Sequence, residues 1–252
     1  MTDKPDPTRR AQELARAELP RRFYEAVTVE AGEAGHVIRL DSRNVRTPAR
    51  RLLALPTSEL AELVAEEWRA QGERIDPSSM PVNRIVNSAL DGVAVSADAV
   101  REDVVRFLDS DLLCYRADSP ERLVEWQNAA WDPPLAWARE SLGLDLRLAA
   151  GIVHVEQPPQ TLERGAGIVA RYETLPLAGL HVMTSLTGSI VLALAVVEGH
   201  MSPDDAWAAA HVDEDWQISQ WGEDAEAMRR RQARWAEMRA AALVARHGRG
   251  GR

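Results

Sequence analysis

Acidic side chains supply most of the groups in this sequence that could do chemistry, and they occur in clusters. Such clusters stand at Glu66-Glu67, at Asp109 and Asp111, at residues 213–215, and at Glu223-Asp224. Paired carboxylates can act as general acid and base in hydrolysis, although acidic pairs more often lie on a solvated helix face. A hydrolase that uses clustered carboxylates is therefore one function that the sequence leaves open.

The triplet at residues 213–215 lies in a segment of helical character. On a helix, Glu214, Gln217 and Trp221 are spaced i, i+3 and i+7, so they share one face. Without a nucleophile or a metal ligand beside them, an acid, an amide and an indole suit recognition better than catalysis. The alternative is a partly buried hydrogen-bond network between helices, and the residues themselves favour neither interpretation.

Other catalytic patterns are missing from the sequence. It contains no Gly-x-x-x-x-Gly-Lys phosphate loop and no Gly-x-Ser-x-Gly nucleophile motif, and Gly165-Ala166-Gly167 lacks the third glycine of a dinucleotide site. No two of the six histidines are four residues apart, which leaves only distant ligands that could converge on zinc. We expect no catalytic residue, no metal site and no cofactor.

Composition limits the class of protein. The net charge of −9 argues against a nucleic-acid-binding face. The one cysteine, Cys114, cannot form an intrachain disulfide, and its apolar neighbours indicate a small buried hydrophobe. The longest apolar run, Ser189–Val197, is far shorter than the ~20 residues of a membrane helix. The first twenty residues show no secretory core, so we expect a cytoplasmic protein without stable membrane insertion.

The elements that must position these groups change character along the chain. His36–Leu40 has a strand pattern, residues 41–44 carry turn chemistry, and residues 45–48 form the predicted return strand. Thr57 or Ser58 caps the next helix, whose apolar face predicts Trp68 as a core residue. The pattern predicts that this first part of the chain is a small β-rich unit.

Helical periodicity dominates the rest of the chain. The predicted helices cover residues 82–94, 98–108, 122–142, 160–173, 176–198, 202–226, and from there to about residue 246. Pro133-Pro134 is expected to break or start a helix and to fix an extended turn. Trp131 is then either exposed beside that turn as an anchor or wedged between helix ends. Strands followed by helices predict an α+β protein.

This pattern divides the chain into four predicted parts. They are a flexible N-terminal arm at 1–20, a β-rich domain with one helix at 21–78, an α-helical domain at 79–246, and a disordered tail at 247–252.

An ordered set of short segments resembles one protein family. In chain order the segments are Phe23-Tyr24, LDSRNVRTP at 40–48, LPT at 55–57, EWRAQ at 67–71, Met80-Pro81, DLLCYR at 111–116, WDPPLAW at 131–137, and DEDWQISQWG at 213–222. Their order and spacing resemble the ATP-twelve family, the assembly chaperones for the α subunit of F-type ATP synthase. The resemblance spans about residues 23–244. Ser42, where the family usually has glycine, is expected to relax or reshape its turn, and Trp216 replaces another aromatic residue.

The resemblance implies a fold, a partner and a site. It implies a small β-rich domain followed by a larger orthogonal α-helical bundle. It also implies a chaperone, monomeric when free, that binds the unassembled α subunit and is not an enzyme. The family's important acid falls at Glu214, with Asp213 and Asp215 as alternatives. We therefore place the partner surface at Glu214, Gln217 and Trp221, with Asp213 and Asp224 as neighbours.

Two further expectations follow from the resemblance. The start of the chain has no Arg/Ser-rich presequence, which favours a bacterial relative of this partly mitochondrial family. Without a nucleotide motif, release is expected to depend on competition by the next subunit. An adaptor with another partner is the remaining alternative to the chaperone and the hydrolase.

Overall fold

The computed structural model describes residues 19–151 and 154–250. Most of the predicted N-terminal arm and the last two residues of the predicted tail lie outside the described residues. None of the described helices is long and apolar enough to cross a membrane.

A small antiparallel sheet opens the described chain. Its strands are β1 (Val27–Gly32), β2 (Gly35–Leu40), β3 (Arg43–Asn44) and β4 (Ala54–Leu55). β1 pairs with one side of β2, from Val27 opposite Leu40 to Gly32 opposite Gly35. β3 and β4 both pair with the other side of β2. The sheet therefore has β2 at its centre.

The turn between β2 and β3 explains why Ser42 is tolerated. The left-handed conformation falls on Asp41, at φ 52°, and not on Ser42. Asp41 also accepts hydrogen bonds from the backbone N–H groups of Glu25 and Ala26, at 3.1 and 2.8 Å. Because the αL position belongs to Asp41, a residue type that adopts it comparatively readily, no glycine is needed at position 42.

The first helix, α1 (Ser58–Arg69), covers the sheet. The side chain of Thr57 caps it by accepting a hydrogen bond from the N–H of Leu60, which confirms the predicted helix start. Trp68 is half-buried and packs against the core, edge to face with Tyr24 at 5.7 Å between ring centroids.

Helices make up most of the remaining fold. They are α2 (Pro81–Ser88), α3 (Ala97–Arg106), α4 (Glu121–Trp137), α5 (Pro159–Val169), α6 (Thr174–Thr187), α7 (Ile190–Val197), α8 (Pro203–Ala210), α9 (Val212–Trp221) and α10 (Ala225–His247). A short parallel pair, β5 (Tyr115–Arg116) and β6 (Ala149–Ala150), lies among them. The predicted α+β class, with a small N-terminal sheet followed by helices, is confirmed.

The predicted helix over 176–198 is two helices in the structure. α6 ends at Gly188, which has φ 70°, and Ser189 begins α7 by accepting a hydrogen bond from the N–H of Leu192. Glycine reaches the left-handed conformation at little cost and serine is a favoured cap, so the dipeptide stops one helix and starts the next.

The predicted helix over 202–226 is also interrupted. His211 separates α8 from α9, and Gly222, at φ 85° and ψ 175°, ends α9. Asp224 then caps α10 by accepting hydrogen bonds from the N–H groups of Glu226 and Ala227. The segment therefore contains two interruptions where one continuous helix was expected.

Both prolines of Pro133-Pro134 lie inside α4, in agreement with the predicted helix over 122–142, so the break expected from the prolines is wrong. A proline cannot donate to the carbonyl four residues earlier, which leaves the carbonyls of Ala129 and Ala130 without that partner. Ala129 is exposed and Ala130 is half-buried, so water can supply the missing bonds.

The C-terminal helix returns to the N-terminal part of the fold. α10 contacts α6 most extensively and also packs on α1 and α2. The hydroxyl of Thr57 donates to the carbonyl of His247 at 2.6 Å, and Arg249 pairs with Glu198 at 3.0 Å. The boundaries of the four predicted parts of the chain remain predictions.

Candidate recognition surface on α9

The helix that carries the predicted site is short and is held between two turns. α9 follows His211 and stops at Gly222, whose combination of φ and ψ is adopted almost only by glycine. Its first turn holds Asp213, Glu214 and Asp215, where carboxylates are stabilised by the positive end of the helix dipole.

The predicted stripe points to solvent. Glu214, Gln217 and Trp221 are all exposed; the Glu214 side chain retains 56% of its accessible surface and Trp221 retains 80%. Their helical spacing places them on one side of α9. A buried hydrogen-bond network therefore does not describe these three side chains, whereas a surface patch does.

The neighbouring acids have structural partners. Asp213 accepts a hydrogen bond at 2.7 Å from the side-chain amide of Gln127, a buried residue of α4. Asp215 forms an ion pair with Arg231 of α10, with Asp215 Oδ2 3.1 Å from Arg231 Nη2. Asp224 caps α10, and the hydrogen bonds from the N–H groups of Ala227 and Glu226 lower its pKa. Asp213 ties α9 to α4 and Asp215 ties it to α10, whereas Glu214 is left to face solvent.

His211 lies beneath Glu214 and forms no hydrogen bond with it. The ring of His211 is buried, lies 3.9 Å from the Trp207 ring between centroids, and has Nδ1 2.7 Å from the Trp207 carbonyl. Burial lowers the pKa of His211, so the neutral ring donates from Nδ1 to that carbonyl. Its Nε2 then lies 3.9 Å from a carboxylate oxygen of Glu214.

An aromatic cluster adjoins the stripe. Trp216 of α9 packs edge to face on Trp126 of α4, with ring centroids 5.4 Å apart and an interplanar angle of 88°. The guanidinium of Arg122 lies 5.7 Å from the Trp126 ring centre and 6.0 Å from that of Trp216. Sequence reasoning missed this cluster, because no local pattern links residues ninety positions apart.

The other sequence candidates have structural roles. Trp131 is buried and its indole N–H donates to the Ala209 carbonyl at 2.7 Å, so the exposed-anchor interpretation is wrong. Gly165 lies within α5, where a Cβ would meet Leu108. Cys114 is buried, and burial raises its pKa to about 12. Within the described ranges, no group of three or more metal-ligating side chains is close enough to hold an ion.

Two carboxyl groups with raised pKa values, those of Glu67 and Asp111, accept backbone hydrogen bonds. Burial raises the pKa of Glu67, which accepts hydrogen bonds from the N–H groups of Val82 and Asn83 at the start of α2. Burial also raises the pKa of Asp111 to about 6, in the core beside α7. Each of these acids organises a helix start, and neither adds support to the hydrolase alternative.

Comparison with known proteins extends over nearly the whole chain. The family model described as ATP12 chaperone protein matches residues 21–139. The mitochondrial protein atp12 of Schizosaccharomyces pombe is 26% identical over 216 residues, which cover 80% of this chain and 74% of that protein.

Solved structures are more similar still. The crystal structure of Atp12 from Paracoccus denitrificans is 40% identical, with a TM-score of 0.86, covering 91% of this chain and 99% of that one. The crystal structure of a protein from Agrobacterium tumefaciens is 48% identical, with a TM-score of 0.88, covering 97% of this chain and 92% of that one.

Proposed function

Since the chain belongs to the ATP12 family of ATP synthase assembly chaperones, we propose that it binds the unassembled α subunit of the F-type ATP synthase. In this proposal it prevents aggregation of that subunit and promotes assembly of the catalytic sector. The observation that carries the proposal is the exposed stripe of α9, with Trp221 at 80% exposure. A tryptophan so exposed on a short, fixed helix is suited to anchoring a partner.

The stripe combines two kinds of contact. Trp221 offers a large apolar surface to the interface that an unassembled subunit leaves exposed, and such interfaces otherwise aggregate. Glu214 and Gln217 form a polar rim that can bind donors at the edge of that interface. The Trp126–Trp216 pair holds α9 against α4 and so keeps the stripe in a fixed orientation.

The need to release the α subunit, the client of the proposed chaperone, limits how tightly this protein can bind it. A chaperone must protect the subunit and then yield it to the next one, which suits a dissociation constant near the micromolar range, about 8 kcal/mol of binding free energy. The sequence has no phosphate-loop motif, so we propose competition by the next subunit, and no catalysis by this chain, as the route of release. We place this activity in the bacterial cytoplasm, by analogy with the relatives from Paracoccus and Agrobacterium.

The decisive experiment is an aggregation assay of the isolated α subunit with and without a stoichiometric amount of this protein. We expect suppressed light scattering and recovery of a one-to-one complex by gel filtration. Full aggregation with no complex would refute the proposed client, and ATP turnover by the purified chain would refute the non-catalytic route of release.

A further inference from the structure

A cluster of arginines lies on the N-terminal sheet, far along the chain from α9. Residues 42–52 contain four arginines and no acidic residue, in a chain whose net charge is −9. Three of these arginines, Arg43, Arg46 and Arg50, are exposed. The fourth, Arg51, donates to the Leu90 carbonyl at 2.7 Å and so has a structural partner.

Two of these three exposed arginines border a cleft of about 610 Å³. Arg43 and Arg46 line it together with Arg39, Asn44 and Val37. Arg39 is already neutralised, since its Nη1 lies 3.0 and 2.9 Å from the two carboxylate oxygens of Glu30. The unneutralised positive charge in the cleft therefore belongs to Arg43 and Arg46. Arg50 does not line the cleft, but its backbone lies next to the Arg46 side chain. We call the surface formed by Arg43, Arg46 and Arg50 the arginine cleft.

Two members of the arginine cleft have free guanidinium groups. The side chains of Arg43 and Arg50 form no hydrogen bond or ion pair within the part of the chain that the structure describes. Arg46 donates from Nη1 to the Arg50 carbonyl at 2.9 Å, which places the two residues side by side. Five N–H donors on each free guanidinium are available to carboxylates.

Arg50 occupies a conformation that an arginine adopts at a cost. Its φ is 64°, in the left-handed region where glycine has no penalty and other residues lose about 1 kcal/mol. Hydrogen bonds between Thr47 and residues 50 and 51 hold this turn. The turn thus holds a long cationic side chain outward at a position where glycine would be easier to accommodate.

We propose that the arginine cleft is a second docking surface, which receives an acidic segment of a protein partner. Arginine binds carboxylates through paired hydrogen bonds, and the cleft also offers the apolar side chain of Val37. Under the proposed function, on which this identification of the partner rests, the segment belongs to the α subunit.

The α9 surface and the arginine cleft have opposite charge, because residues 211–226 carry six acids and no lysine or arginine. Opposite charges at two sites fix the orientation of the client.

A protein segment fits the arginine cleft better than a longer polyanion. Three arginines on a chain of net charge −9 attract a short acidic segment locally, whereas extended nucleic acid or an anionic membrane meets the repulsion of the whole molecule.

The test compares three probes on the full-length protein. Fluorescein-labelled decaglutamate, a 20-nucleotide single-stranded DNA, and phosphatidylserine-containing vesicles are titrated at low salt, about 20 mM, and at about 150 mM. The test variant is Arg43→Gln/Arg50→Gln, since neither side chain supports the fold. The matched control is Arg139→Gln/Arg239→Gln, which removes two exposed arginines elsewhere.

We expect decaglutamate to bind the wild type and the control equally. The cleft variant should bind it about tenfold more weakly, a difference that narrows at higher salt. Equal binding by the wild type and the cleft variant, or no binding at all, would overturn the proposal. Tighter binding of DNA or vesicles through the same two arginines would also overturn it.

A final titration with the α subunit separates the two proposals. We expect the cleft variant to bind the subunit more weakly than the control does. If the variant loses decaglutamate but binds the subunit normally, the client does not use this cleft and the identification of the segment is wrong. If the wild type binds decaglutamate through the arginines but does not bind the subunit, the proposed function fails and the acidic-segment site stands.

Discussion

Three consecutive carboxylates at the start of α9 have three different surroundings. Asp213 is bonded to the buried Gln127, Asp215 is paired with Arg231, and Glu214 faces solvent above the neutral ring of His211. The family resemblance implied that the important acid is Glu214 and left its two neighbours as alternatives. The structure gives each neighbour an intramolecular role, which adds support for Glu214 as the residue available to a partner.

Replacement of Glu214 by glutamine should separate binding from folding. Because the side chain is exposed, we expect the free energy of unfolding to change by no more than about 0.5 kcal/mol. Protection of the α subunit in the light-scattering assay should fall several-fold. Glu223→Gln is the matched control, since Glu223 is also exposed and lies outside the stripe. A large loss of thermal stability in Glu214→Gln would instead indicate a structural role.

Asp111 should make stability depend on pH. The buried carboxylate accepts hydrogen bonds from the Leu113 N–H, the Ser189 hydroxyl and the Val191 N–H, at 3.0 to 3.1 Å. Burial outweighs these bonds and raises the pKa from its ordinary value of 3.8 to about 6. Because the folded-state pKa is the higher one, the protonated group stabilises the fold below pH 3.8, and this stabilisation is lost as pH rises through about 6.

The measurement is urea unfolding of the wild type and Asp111→Asn between about pH 4 and about pH 7. We expect the wild-type free energy of unfolding to fall relative to the variant by about 1 to 3 kcal/mol over that range. Both proteins contain the other titrating groups, so the contributions of those groups cancel in the difference between the two free energies of unfolding. A difference that does not vary with pH would contradict the pKa shift.

At the scale of helices and strands, the sequence predicted which elements form better than it predicted the residues at which they begin and end. The Thr57 cap, the β2 strand and the order of the helices followed from local chemistry. The interruption at Gly188-Ser189 also had a local signal, a stop residue followed by a cap, but the apolar run on both sides hid it. The triplet of acids at 213–215 was likewise a signal for the start of a helix.

Other features depended on contacts between distant parts of the chain. Pro133 and Pro134 remain helical where Trp131 anchors α4 to the Ala209 carbonyl. The packing of Trp126 on Trp216 requires α4 and α9 to meet. The helical period predicted a helix over 122–142, but the propensity of the two prolines opposed it, and the contact of Trp126 with Trp216 has no local signal.

Two glycine substitutions are expected to change stability in opposite directions, because only Gly179 lies in the contact of α6 with α10. A Cβ at Gly179 would lie 2.5 Å from the Ala241 carbonyl oxygen and 2.8 Å from the Ala245 Cβ, so Gly179→Ala forces the helices apart. We expect a loss of about 1 to 3 kcal/mol. Gly167 of α5 is exposed with open space around it, and Gly167→Ala should stabilise by about 0.5 to 1 kcal/mol. Thermal unfolding of both variants checks the pair, and equal effects would contradict the close packing.

At the scale of the whole molecule, one apolar core joins the sheet to the helices. The cluster of buried side chains runs without interruption from Tyr24 and Ile38 of the N-terminal part to Met238 and Ala245 of α10. Arg84 of α2 pairs with Glu237 of α10 at 3.1 Å, and Thr57 bonds to His247 at the end of that helix. The sheet therefore gains support from a helix nearly two hundred residues later.

This continuity predicts one cooperative unfolding unit. If α10 couples the sheet to the helices, the most protected amides of β2, such as that of Ile38, should exchange with solvent only by global unfolding. They should then show the same opening free energy as those of α6, such as that of Leu180, in native-state hydrogen exchange.

The sharper test is Gly179→Ala, which perturbs the contact of α6 with α10 and touches no residue of the sheet. In a single unit, the opening free energy of the Ile38 amide falls by the full destabilisation of about 1 to 3 kcal/mol. In two independent units, Ile38 would keep its wild-type exchange rate while Leu180 loses protection, because the sheet would open without the helices.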